Sequence, residues 1–106
     1  MYTSSMKEEK DDLLLGIGTM LRGSRQKKEL TQKVVAEKAG INEKHLGRIE
    51  RGESNVKIKT LELLCKELEV SLPNFFQKAL RYKKAIVDAR KGIYLPQMDL
   101  IKKKKT

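Results

Sequence analysis

Between residues 32 and 49, Ala36, Gly40, Ile41, Leu46 and Ile49 stand at spacings that admit few arrangements other than two short helices crossing closely around a tight reversal. Ala36 falls where the helices cross, so a larger side chain would force them apart. Gly40 falls at the reversal, a point that often needs φ > 0, which glycine adopts without a Cβ clash. Val35, Leu46 and Ile49 then face a shared core. Asn42, Glu43, Lys44, Gly47 and Arg48 are left outward, on a face with no apolar residue to hide.

The flanking sequence is helical throughout, and β signals are nearly absent. Leu14, Ile17, Leu21 and Ser24 repeat at three and four, predicting a first helix over about 10–28. Its start is read either at a capping box, Ser5-x-x-Glu8, or at Asp11 or Asp12. Thr31 caps a second helix over 32–39, ended by Gly40, and Asn42 caps a third over 43–51, ended by Gly52. After the polar loop Glu53-Ser54-Asn55, the apolar positions Ile58, Leu61, Leu64, Cys65 and Leu68 mark a fourth helix over 58–69. Ser71 caps a fifth, with Pro73 near its favoured first-turn place.

Beyond that point Phe75, Ala79, Tyr82, Ile86, Ala89 and Ile93 form a heptad-like stripe. One reading is a single long helix to Arg90, stopped by Gly92. The other is a break near 80–84, where Lys83 and Lys84 interrupt a second stripe of Phe76, Leu80 and Val87. Ile93-Tyr94-Leu95-Pro96 reads as extended before the proline, and Lys102–Lys105 as a disordered basic tail.

The chain has 106 residues and a net charge of +10, which calls for a polyanionic partner. The charge is uneven: net −2 over 1–12, +5 over 13–78 and +7 over 79–106. A single cysteine forms no internal disulfide, and no signal peptide or apolar run long enough to span a bilayer is visible. A soluble, cytoplasmic protein with no membrane role is expected. One His, one Cys and no carboxylate or glycine-rich constellation argue against an enzyme, a metal site or a cofactor.

Residues 21–76 resemble the helix-turn-helix domain of the phage repressor and Cro type, the XRE family. The resemblance rests on Arg25, Leu30-Thr31-Gln32, Val35-Ala36, Gly40-Ile41, Leu46, Arg48-Ile49-Glu50-Arg51-Gly52, Asn55, Thr60-Leu61, Leu68, Val70 and Leu72. It implies an all-α, compact, five-helix lambda-repressor-like DNA-binding domain, here with a C-terminal helical extension. The corresponding division is a flexible segment at 1–12, the DNA-binding domain at 13–78, the extension at 79–101 and a basic tail at 102–106. The resemblance also implies an ion pair between Arg25 and Glu50. Two positions depart from the family pattern: Val56 stands where proline is common, and Gly47 where serine is common.

The expected function is a transcription regulator, such as a repressor, restriction-modification controller or autoregulating antitoxin, that reads double-stranded DNA with the helix at 43–51. Arg48 and Lys44 are the expected base readers; Asn42 is read as a base contact or an N-cap, and Glu43 as a cytosine acceptor or a dipole partner. Gln32, Lys33, Ser54, Asn55, Lys57 and Lys59 are the expected phosphate contacts. One reading helix covers few base pairs, so a homodimer on an inverted repeat is expected. The stripe Phe75, Ala79, Tyr82, Ile86, Ala89 and Ile93 is its candidate interface, with folding back onto the same domain as the competing view. A partner protein enters if the chain is an antitoxin. The rival function is an RNA-binding or protein-interaction module using the same basic face.

Overall fold

A computed structural model describes residues 11–92, as five helices. They are α1 (Asp12–Lys27), α2 (Gln32–Ala39), α3 (Glu43–Glu50), α4 (Ile58–Glu67) and α5 (Leu72–Arg90). The capping box at Ser5–Glu8, the extended stretch 93–96, Ile93 and the lysine tail lie outside the described residues.

Helix starts follow the local chemistry. Asp11, Thr31, Asn42 and Ser71 each accept a hydrogen bond from the backbone N–H three residues on, at 3.0, 3.2, 3.0 and 3.3 Å. Two of the helix ends use a residue the sequence does not advertise. Glu29 and Glu69 adopt φ near +59°, the left-handed region, directly after the C-cap residues Lys28 of α1 and Leu68 of α4. Each closes a C-terminal cap in which the next residue's N–H returns to the helix: Leu30 to Arg25 O at 3.1 Å, and Val70 to Cys65 O at 2.9 Å. That cap ends α4 at Glu67, ahead of the expected 69.

The core joins Ile17, Met20 and Leu21 of α1 to Val35, Ala36 and Ala39 of α2, Leu46 and Ile49 of α3, Leu61, Leu64 and Cys65 of α4, and Phe75 and Ala79 of α5. Burial pushes the Cys65 thiol up to about 11, so it packs as a small neutral side chain at physiological pH.

α5 is continuous; no break occurs at 80–84. It runs antiparallel to α1, and Arg90 near its end pairs with Asp12 at the start of α1. The two backbones approach so closely that a Cβ on Gly16 would lie 2.5 Å from Ala79 O and 3.1 Å from Lys83 N. Residues 79–90 therefore belong to the same bundle, and a boundary between 78 and 79 marks no interruption of the backbone. Phe75 and Ala79 are 0% exposed within this bundle, which removes both from the candidate dimer interface. The fold-back reading holds for these two of the six stripe residues. Ile86 is half-buried, whereas Tyr82 and Ala89 are exposed.

Gly18, two residues along α1, lies against the C-terminal end of α3. A Cβ there would lie 2.5 Å from Ile49 O and would also collide with the Glu50 carbonyl. The pair Gly16 and Gly18 thus lets α1 lie flush on α5 and α3 together.

Candidate nucleic-acid interface

The site is built on the α2–α3 pair. Thr31 and Asn42 fix the two helix starts, and Gly40, at φ +74°, makes the reversal between them. Its cap returns Ile41 N–H to Ala36 O at 3.0 Å. Ala36 is buried at the crossing, and Val35, Leu46 and Ile49 are buried beneath it.

A charged lock holds α3 in place. The Arg25 guanidinium grips Glu50 in a two-pronged bond, Nε to Oε2 at 2.7 Å and Nη2 to Oε1 at 2.9 Å, while Nη1 donates to Leu30 O at 2.8 Å. Gln32 Nε2 donates to Glu50 Oε1 at 2.9 Å, so one buried carboxylate ties together the end of α1, the start of α2 and the end of α3. The geometry agrees with the ion pair that the resemblance implied. It also gives Gln32 an internal partner that the expectation of a phosphate contact did not include.

Outside this lock the expected base readers and most of the expected phosphate contacts sit in two groups. Glu43, Lys44 and Arg48 are exposed on α3, and among the described residues neither Lys44 nor Arg48 has an ion-pair partner. Asn42 is exposed too; its Oδ1 caps His45 N–H, which leaves its amide N–H donors outward. Gly47 departs from expectation, because it is buried. Arg51 Nη1 and Gln32 Oε1 would lie 3.2 and 3.5 Å from a Cβ placed there, so these two side chains cover it.

The second group surrounds the start of α4. Ser54 is half-buried; Asn55, Lys57 and Lys59 are exposed. Lys57 occupies the N-cap and supplies no side-chain cap, so the first N–H groups of α4 keep their capacity for an external acceptor. Lys59 pairs with Glu62 at 3.0 Å, while Lys57 and Lys33 have no ion-pair partner among the described residues. Val56, where the family commonly has proline, is half-buried and packs against the core.

Arg51 was not among the expected site residues. It follows α3 directly, with Nε bonded to Glu53 Oε2 at 3.1 Å, and this bond chiefly raises its pKa. With Gln32, Glu43, Lys44 and Gly47 it lines a shallow cleft of about 240 Å³ between α2 and α3. The position of Arg51 four residues after Gly47 carried the signal, since residues i and i+4 lie on one helix face.

Among the described residues no group of three or more His, Cys, Asp or Glu is placed to hold a metal ion. No described helix is long and apolar enough to cross a membrane.

Two capped helices crossing at a buried alanine, with the second presenting exposed cations, define a helix-turn-helix unit. The helix-turn-helix family model matches residues 21–75, and the chain belongs to that family, in its XRE-type branch of DNA-binding transcription regulators. It is 34% identical over 58 residues to the control protein C.SmaI of Serratia marcescens, covering 55% of this chain and 69% of that protein. Among solved structures, it matches the clp gene regulator ClgR of Corynebacterium glutamicum at 26% identity and a TM-score of 0.70, covering 76% of this chain and 84% of that one. It matches the restriction-modification controller protein C.Esp1396I, a tetramer in complex with its natural 35 base-pair operator, at 34% identity and a TM-score of 0.61, covering 67% and 93%.

Proposed function

We propose that this chain is a sequence-specific double-stranded-DNA-binding transcriptional regulator that acts in the cytoplasm and reads an inverted-repeat operator as a dimer through α3. The observation that carries the proposal is the exposed pair Lys44 and Arg48, without ion-pair partners among the described residues, on a helix whose other face is locked by Arg25 and Glu50. A major groove admits such a helix, and the fork of Arg48 matches guanine O6 and N7. Lys33, Asn55, Lys57 and the uncapped start of α4 serve the phosphates on either side. The likeness to C.SmaI and C.Esp1396I supports control of restriction-modification genes as the biological role. The operator complex of C.Esp1396I weighs against the RNA or protein-module alternative.

The roles differ in a measurable way. Arg48→Ala relaxes sequence choice at one base position, at a discrimination cost of about 1–3 kcal/mol. Lys57→Ala weakens all duplexes alike and lowers the salt slope of binding by about 0.9. Equal losses of specific and nonspecific binding in both variants would contradict these assignments.

We propose that self-association uses the outward side of α5. Leu80 is 49% exposed, with Phe76 one turn before it and Val87 two turns after it half-buried. An isologous dimer would cover this apolar strip. Leu80→Asp is expected to shift sedimentation of the full chain from dimer to monomer while leaving helix content unchanged. A dimer that persists at the same concentration would move the interface elsewhere.

A further inference from the structure

We propose that the cleft bounded by the end of α1, the α4–α5 turn and the middle of α5 docks an acidic peptide segment of another protein, one that carries an apolar anchor among its carboxylates. The cleft has a volume of about 760 Å³. Its floor is apolar, made by Met20, Leu68 and Val70, and the exposed Tyr82 stands on its α5 side. Lys27, Lys28 and Lys78 line it against a single carboxylate, Glu69. Lys28 is already held by Glu69 at 2.6 Å, whereas Lys27 and Lys78 have no ion-pair partner among the described residues. Two uncompensated cations over an apolar floor select an occupant that brings negative charge together with a group to bury.

The fold keeps this cleft accessible. Gly23 of α1 lines it, and a Cβ there would meet nothing within 4 Å, so that part of the wall is bare backbone. Gly23 has no positive φ and no close neighbour, so nothing in the bundle requires glycine, although glycine costs about 1 kcal/mol against alanine in a helix. The cleft also stands apart from the proposed DNA surface: it meets α4 at its C-terminal end, about 15 Å along the helix from the uncapped start. With 3.6 residues per turn, Lys78 and Tyr82 fall on the opposite flank of α5 from Phe76, Leu80 and Val87, so the dimer proposed above leaves the cleft open. Shape sets the class of occupant. An open cleft covers a peptide's anchor and leaves its flanks in water, whereas a small-molecule pocket encloses most of its ligand.

The test selects short random peptides, displayed on phage, against the full chain, with soluble Gly23→Trp protein in excess to remove binders of every other face. Open space around residue 23 lets the indole fill the cleft without disturbing the bundle, and a thermal melt no lower than the parent's checks this. The expected survivors carry several Asp or Glu around a Leu or an aromatic residue. For a synthetic copy of one survivor, Lys78→Glu is expected to weaken binding to the full chain by about tenfold. Gly23→Ala and Arg48→Ala are expected to leave it unchanged, and saturating duplex DNA is expected not to compete. No survivors, survivors without acidic residues, or equal binding to Lys78→Glu would overturn the proposal. So would a lower salt slope of duplex binding in Lys78→Glu, which would make DNA phosphate the occupant. A shift of Gly23→Trp from dimer to monomer would overturn it too, by making the occupant a second copy of this chain.

Discussion

Replacing Arg25 by alanine lowers the free energy of unfolding by about 3–5 kcal/mol, the range for stripping one partner from a buried ion pair. The Glu50 side chain is only 3% exposed, and Arg25 supplies two of the three hydrogen bonds described for its carboxylate. Gln32 alone remains after the substitution, a neutral donor facing a buried charge. The loss also frees Leu30 O, which accepts from Arg25 Nη1 at the α1–α2 turn. Arg25→Lys keeps the charge but not the planar fork and is expected to fall between alanine and the parent. Urea melts of the three chains check this; a loss below about 1 kcal/mol for alanine would mean the pair behaves as a solvated surface contact.

Gly18→Ala is the second large effect. An alanine in an exposed helix interior normally gains about 1 kcal/mol over glycine. At residue 18 the new methyl would stand 2.5 Å from Ile49 O, a backbone atom that cannot rotate away. α1 must then lift from the end of α3, disturbing Leu21, Ile49 and the nearby Arg25–Glu50 lock. A net loss at or above the upper end of about 1–3 kcal/mol is expected, the cost of overpacking. Gly23→Ala, on the same helix with nothing within 4 Å of its added carbon, is the internal control and is expected to stabilise. Equal thermal shifts in the two variants would show that α1 and α3 are not in close contact at Gly18.

What the sequence discloses and what it hides divide along a physical line. The helix starts at Asp11, Thr31, Asn42 and Ser71 were legible because an N-cap bond spans only three residues. Gly40 was legible because its backbone requirement is local. Gly16 and Gly18 were not, since nothing near them in sequence reveals that Ala79 and Ile49 pack against them. The left-handed Glu29 and Glu69 were hidden for the opposite reason: glutamate is not the residue that such a turn prefers. The stripe on α5 showed that an apolar face exists but not what covers it. α1 packs on Ala79 and the core encloses Phe75, leaving Tyr82 outside. At the site, the exposure of Lys44 and Arg48, the proposed readers, followed from the pattern of α3. The burial of Gly47 depends in part on Gln32, which Glu50 holds through a long-range contact, whereas the approach of Arg51 is local, four residues on.

The decisive measurement is the change in backbone amide NMR signals when the full chain is titrated with duplex DNA. Shifts concentrated at Gln32, at residues 42–48 and at the start of α4 are the predicted result. Shifts confined to α5 and the outer face of α1, with residues 42–48 unmoved at saturation, would contradict insertion of α3 into the groove.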